Sequence, residues 1–401
     1  MRLQPRAAAL ALLLATAGCV SERQASVSPV PAAPPPAGLA ARTALEAGVR
    51  AGPPVATLPI DPVRARDALA AFNLSCAALL KRPDVSGLTR APDWQPACAA
   101  AAAWPRDDAP GFFRRYFETA LVGEGHLFAT GYYEPQIDAA PTPSLQYNVP
   151  IYGLPNDMVT ADLGQWAPDL KGRSIKGRVQ NGKLVPYYDR GQIEDGAIKG
   201  SAPVIGYAAD PIAFFFLQVQ GSGRLRQPDG QVIQLNYAGQ NGMPYTGIGK
   251  WLVGQGLITV DQGSMQGITA WLKAHPDQAD GVMRQNRAFV FFKVIPGATE
   301  PLGAMGVPVA GHVSVAADPA FTPLGAPVWL SADRAEAGGL WVAQDTGGAI
   351  KGPNRFDTYW GGGDEAARIA GGMSARGLSY LLLPTGTLAR LGVDGTRAAR
   401  S

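Results

Sequence analysis

The sequence predicts a mainly β protein, rich in loops, built from barrels with a few helices and divided into two domains. Glycine (49 residues) and proline (35) are abundant while charged residues make up only 17% of the chain, a mix that suits a turn-rich β body better than a helical bundle. Short apolar runs recur at 127–133, 213–220, 232–237, 287–294, 313–316, 327–330, 340–344 and 380–383, each bounded by glycine or proline. Short strands spaced by turn signals point to barrels rather than to alternating βαβ layers. A chain of 401 residues also exceeds what one average domain holds.

The first 18 residues read as an export signal. Arg2 and Arg6 form a basic start, and 7–15 form an apolar stretch too short to cross a bilayer as a helix. The stretch ends Thr16-Ala17-Gly18-Cys19, small residues before a cysteine, which resembles a lipoprotein processing site with Cys19 as the lipidated N-terminus. Val20 in place of an aspartate favours the outer membrane, by analogy with sorting rules. Residues 19–58, with Pro34-Pro35-Pro36 and Pro53-Pro54, read as an anchor and a polyproline-like tether. Ordered structure is expected from Asp61-Pro62, an N-cap followed by proline at the first helical position. Helical spacing continues through Ala68, Phe72 and Leu79, and a second helix is expected over 109–121, where Phe112, Phe113, Tyr116 and Phe117 share a face. Further helices are expected at 248–253 and 265–273. With Cys19 assigned, Cys76 and Cys98 remain, and an even pair in an exported protein reads as a disulfide.

The formal charge of +3 falls further once the leader's arginines are removed, which leaves no electrostatic footprint for nucleic acid. The three histidines, His126, His275 and His312, are far apart, so no zinc spacing exists and no metal or other cofactor is expected. No nucleophile elbow, Walker loop or dinucleotide fingerprint follows a strand, and Gly361-Gly362-Gly363 reads as a turn. Carboxylates are left as the agents of any chemistry. The densest polar, glycine-rich stretch holds Asp345 at a strand's end, Gly347 and Gly348 directly after it, then Lys351 and Asp357. The two glycines allow positive φ and close backbone approach. Asp357 has Phe356, Tyr359 and Trp360 for neighbours, so partial burial would raise its pKa toward neutrality. Equally, both aspartates suit bracing a turn. A second cluster, Gln218, Gln220, Ser222 and Gly223, would put amides and a hydroxyl on one face of a strand, either reading sugar groups or facing water. Tyr237, Gly239 and Tyr245 interleave aromatics with amides, and Thr130 precedes Gly131-Tyr132-Tyr133 as a candidate groove hydroxyl.

Four segments in order, TGYYEP, LQVQGSGRL, NYAGQNGMPYTGIGKWL and AQDTGGAIKGPNRFDTYWG, resemble the membrane-bound lytic transglycosylase A family. Residues 303–308, 317–319 and 323–326 resemble the upstream half of the 3D domain, so Asp318, Asp345 and Asp357 match its three aspartates. The resemblance covers roughly 110–385. It implies a double-psi β-barrel from 59–134 and 286–395, a smaller barrel-like β domain inserted over 135–285, and a groove between them. It also implies Asp357 as the catalytic acid then base, with Asp345 in support. Thr130, Gln218, Gln220, Ser222, Gly223, Tyr237, Gly239, Asp318, Gly348 and Lys351 are the expected substrate-binding residues. The implied substrate is peptidoglycan, cut between N-acetylmuramic acid and N-acetylglucosamine to leave 1,6-anhydro ends. The implied location is the periplasmic face of the outer membrane, through a lipid anchor, with other cell-wall synthesis or lysis proteins as partners. Two rivals are a glycoside hydrolase of cell-wall or β-glucan chains using two aspartates, and a lipoprotein that grips glycan without cutting it.

Overall fold

The computed structural model describes residues 41–296 and 300–393. The export signal, Cys19 and the tether up to residue 40 lie outside the described residues.

Asp61 accepts a hydrogen bond from the Arg64 amide at 2.9 Å, Pro62 occupies the first helical position, and the helix Pro62–Leu79 follows. It buries Ala68, Leu69 and Phe72 against Trp94 of the helix Ala91–Ala101 and Phe112 and Phe113 of the helix Ala109–Tyr116. A Cys76–Cys98 disulfide ties the first two helices, with Cα atoms 5.5 Å apart. The third helix stops at Tyr116, short of the expected 121. From Phe117 the backbone is extended, and Phe117–Val122 pairs with Ser374–Pro384, which satisfies its amides while burying Ala120 and Val122. The tether is also shorter than expected: Ala44–Ala47 is helical, and Val49–Ala51 covers the open edge of Phe117–Val122.

The barrel is a closed ring. Ser374–Pro384 pairs with Pro327–Ala332, then come Gly339–Asp345, Ser314–Ala317, Arg355–Gly362 and His126–Glu134, and the last of these returns to Ser374–Pro384. Closure removes the exposed edges that an open sheet leaves. Two of these pairings are parallel, Ser314–Ala317 with Gly339–Asp345 and Arg355–Gly362 with His126–Glu134. Trp341, Phe356, Leu330 and Leu381 fill one core, while Tyr132, Val309, Ile350 and Tyr359 form a small separate cluster. The helix Asp364–Gly371 packs on Arg355–Gly362 and His126–Glu134.

The chain leaves the barrel after Glu134. A second sheet orders Val290–Val294, Val232–Gln240, Gly223–Arg226, Gln136–Ala140, Val204–Ala208 and Val149–Tyr152, and a bridge from Gly153 to Phe292 draws its two ends together. Val290–Val294 therefore belongs to the insert, not to the barrel segment expected from 286, because its register is fixed by Val232–Gln240. A separate three-stranded sheet, Met158–Asp162, Ser174–Gln180 and Lys183–Pro186, stands beside this body. The helices Ile248–Gly254, Met265–Ala274 and Pro276–Met283 bury Leu252, Ile268, Leu272 and Val282 together.

One expected strand is a helix. Pro211–Gln220 starts on Asp210, whose side chain accepts from the Ile212 and Ala213 amides, and ends on Gly221 at φ 82°. An Asp-Pro start and a glycine stop ten residues apart outrank the strand-like apolar run between them. Replacing Cys76 and Cys98 together by alanine is expected to lower the unfolding free energy by about 3 kcal/mol. The signature is a lower urea midpoint with a steeper slope, because the unfolded chain expands without its cross-link, and an unmoved midpoint would show that the helices need no cross-link.

Candidate active site

The parallel pairing of His126–Glu134 with Arg355–Gly362 sets Thr130 directly beside Asp357. The Thr130 hydroxyl donates to Asp357 Oδ1 at 2.6 Å and accepts from Arg355 Nη2 at 2.9 Å. The Arg355 guanidinium lies 4.8 Å over the Phe128 ring, so an aromatic face fixes the far end of this relay. Asp357 Oδ2 accepts no hydrogen bond among the described residues. Burial pushes the Asp357 carboxyl up to about 6, the Thr130 bond and the Arg355 charge pull it down, and the Asp345 charge adds a smaller upward push. The side chain is thus an acid with one oxygen held and one free.

The other two aspartates are fully engaged. Asp345 Oδ1 accepts from the Ala304 and Thr346 amides at 3.0 and 2.9 Å, and Oδ2 from the Tyr132 hydroxyl at 3.0 Å. Burial raises its pKa against those three bonds. Tyr132, tilted at 35° against Tyr359 with ring centroids 4.8 Å apart, has its own pKa raised well above the usual phenol value by burial and by both carboxylates. Asp318 Oδ1 accepts from the Ala320 amide at 3.1 Å and Oδ2 from the Gly352 amide at 2.9 Å, so it braces the loop rather than a ligand.

Positive φ falls on Gly352 (94°) and Asn354 (56°), while Gly347 and Gly348 do not use the freedom they have. The left-handed turn sits where the loop must swing back into a strand, and a short amide side chain tolerates it. Asn354 is buried: its Nδ2 donates to the Val122 carbonyl and its Oδ1 accepts from the Ser379 hydroxyl, both at 2.9 Å. Pro353-Asn354-Arg355 thereby anchors the loop and delivers Arg355 to the strand two residues before Asp357, on the same face. Gly348 and Lys351 stand exposed on the loop.

On the insert, the expected polar strand face does not exist. Gln218 is buried on its helix, accepting from Arg190 Nη1 at 2.7 Å and donating to the Val290 carbonyl at 3.1 Å. Gln220 accepts from the Tyr133 amide at 3.1 Å, which ties the insert to the strand where the chain crosses over. Ser222 lies between the helix and Gly223–Arg226. A side chain on Gly223 would meet Leu217 at 2.6 Å and the Pro135 carbonyl at 2.8 Å, so that glycine serves packing. Tyr237 is half exposed beside a β-bulge that runs to Gly239. Tyr245, 44% exposed, is a residue of the insert whose pKa is raised by burial and then by the charge of Asp357. Arg355 is the residue beside Asp357 that the sequence-based set lacks, and the alternation of strand positions around Asp357 carries its signal; Tyr245 belongs to the cluster in which aromatics interleave with amides.

Residues 128–293 match the family described as the MltA specific insert domain, and 313–383 match the 3D domain. A solved MltA from Neisseria gonorrhoeae is 35% identical, with a TM-score of 0.67, over 83% of this chain and 90% of that one. The chain belongs to the MltA family. A membrane-bound lytic murein transglycosylase from Agrobacterium tumefaciens is 28% identical at a TM-score of 0.75, over 85% of this chain and 99% of its own. The membrane-bound lytic murein transglycosylase A of Vibrio cholerae is 32% identical over 261 residues; that stretch is 62% of this chain and spans 63% of the curated relative's length.

The raised carboxyl carries a stability signature. The folded protein keeps the Asp357 proton up to about pH 6, the unfolded chain only to near 3.8. Folding is therefore favoured below that window, and stability falls as pH rises through it. Asp357→Asn escapes the loss. It is expected to be more stable than wild type at pH 7.5 by about 1–2 kcal/mol, after allowing for solvent at the free oxygen, and equal to it at pH 3.5. Paired denaturation curves at the two pH values check this. Thr130→Val, which removes a bond to the carboxylate, should move the titration of Asp357 upward by about one unit, read by NMR of the side-chain carboxyl.

Proposed function

We propose that this MltA-family protein is a lytic transglycosylase that cuts peptidoglycan between N-acetylmuramic acid and N-acetylglucosamine with Asp357 as its single acid and base. The observation that carries the reading is the unequal engagement of three carboxylates: both oxygens of Asp345 and of Asp318 are taken, while Asp357 keeps one free beside the groove. A hydrolase needs a second carboxylate as base or nucleophile. A transglycosylase needs one, because the muramyl C6 hydroxyl attacks its own anomeric carbon. Asp357 first gives its proton to the departing glycosidic oxygen, then takes one from the C6 hydroxyl, which closes the 1,6-anhydro ring without water. A carboxyl near 6 serves both directions at the mildly acidic to neutral pH where it is partly protonated.

Several finer features go with this reading. The closed ring with two parallel contacts supports a double-psi barrel, and a relative from Escherichia coli solved with bound chitohexaose, 26% identical at a TM-score of 0.60, supports a glycan-binding groove. In the same reading Cys19 carries the lipid, and 20–40 holds the catalytic body off the periplasmic face of the outer membrane. Purified sacculi digested in heavy-oxygen water test the whole proposal. The expected products carry 1,6-anhydro ends and no label; labelled reducing ends would establish a hydrolase, and binding without soluble fragments a passive lipoprotein. Asp357→Asn should leave no anhydro product above background, a loss of at least about a thousandfold for a residue that moves both protons.

A further inference from the structure

The barrel face that carries Asp357 continues past it. In the register of three adjacent strands, Asp357 and Ser374 flank Thr130, and two residues further along Arg355 and Arg376 flank Phe128. Register partners, and residues two apart on one strand, share a face, so these six side chains lie on the same side of the sheet. The next step sets Leu378 beside His126. Each step is about 7 Å along the strands, so the two arginines stand one step from the Asp357–Thr130 pair. The strip is open: Ser374, Arg376, Leu378 and His126 are exposed, and Phe128 is half-buried.

The two arginines are used differently. Both guanidiniums lie over the Phe128 ring, Arg355 at 4.8 Å and Arg376 at 5.0 Å from its centre. Arg355 is half-buried and donates to the Thr130 hydroxyl and the Phe356 carbonyl. Arg376 is exposed, and among the described residues its guanidinium makes no salt bridge and no hydrogen bond. The acid bonded to this residue, Asp333, accepts from its backbone amide at 2.8 Å and not from its side chain. An aromatic ring thus holds a guanidinium in place while its forked N–H edge stays free for a planar anion.

We propose that Arg376, held over Phe128, is a docking point for a carboxylate of the peptide carried by the substrate's muramyl sugars, and that it makes this protein favour peptide-bearing strands over bare ones. This rests on the proposed function and deepens it. Charge complementarity selects the occupant. In a peptide-bearing strand the lactyl acid is spent in an amide bond and the sugars are neutral, so the carboxylates left are those of the peptide, and a guanidinium fork matches them. An exposed strip that leads away from Asp357, first a cation and then Leu378, suits a chain hanging from the strand better than a sugar, which a groove must enclose.

The test measures Kd with the full chain carrying Asp357→Asn, so that no strand is cut. The probes are soluble peptide-bearing glycan fragments, the same fragments stripped by an amidase, and chitohexaose. Adding Arg376→Met keeps an apolar stem over Phe128 and removes the charge. It should weaken the peptide-bearing fragments about fivefold, the size of a solvent-exposed charged pair, and leave the other two unmoved. Arg376→Lys, which keeps the charge without the fork, should recover part of the loss. Unchanged Kd for the peptide-bearing fragments overturns the docking point. Equal weakening of the stripped fragments makes the lactyl acid the occupant and overturns the peptide assignment, and equal weakening of chitohexaose overturns it in favour of a general glycan contact. None of these arms needs turnover, so absence of anhydro products from the protein with Asp357 intact would overturn the proposed function separately.

Discussion

The site depends on one pairing. Arg355–Gly362 runs parallel to His126–Glu134, two strands more than two hundred residues apart in the chain, and that register sets Thr130 beside Asp357. A slip of one residue would turn every side chain on either strand to the opposite face. Phe356, now in the barrel core, would then take the position of Asp357 beside Thr130. Several contacts resist such a slip. The Thr358 hydroxyl donates to the Thr130 carbonyl at 2.8 Å, and Trp360 Nε1 donates to the Thr358 hydroxyl at 2.9 Å. On the far side, Ala316 pairs with Asp357 and Ser374 with Thr130, so both strands are fixed from both flanks.

Burial and hydrogen bonding oppose each other at Asp357, and the balance sets its chemistry. Apolar surroundings favour the protonated form, whereas Thr130 and the more distant Arg355 charge favour the carboxylate. Arg355 reaches Asp357 only through the Thr130 hydroxyl. Were the guanidinium in direct contact, the carboxyl would fall toward the range of an ordinary ion pair and lose its use as an acid near neutrality. The cation is kept at one remove by Phe128, over which it is stacked.

Much of the barrel was legible because its strands are short apolar runs closed by glycine, and the Asp61-Pro62 cap marks a helix start with a local mechanism. The burial of Asp357 and the upward push on its carboxyl were legible through its aromatic neighbours. What escaped was decided by distant partners. Phe117 looked helical by spacing, yet its backbone is claimed by the last barrel strand. Gln218 and Gln220 looked like a polar strand face because alternation of two cannot be told from a short helix without weighing Asp210 and Gly221. Arg355 escaped because nothing local says that Thr130, from a strand more than two hundred residues away, links it to Asp357.

In the proposed reading three aspartates bring only one exchangeable proton to the site, and the hydrogen bonds of the other two support it. Asp318 fixes the loop through the Gly352 amide, and Asp345 fixes the loop's first residue and Ala304 while orienting Tyr132. A carboxylate that accepts from backbone amides on both sides of a loop is committed to the loop's shape, and drawing it into chemistry would release the segment that carries Asp357. The fold thus separates the two tasks. Two acids hold the glycine-rich turn in place, and the third keeps a free oxygen and a single hydroxyl partner, which is what the proposed proton exchange requires.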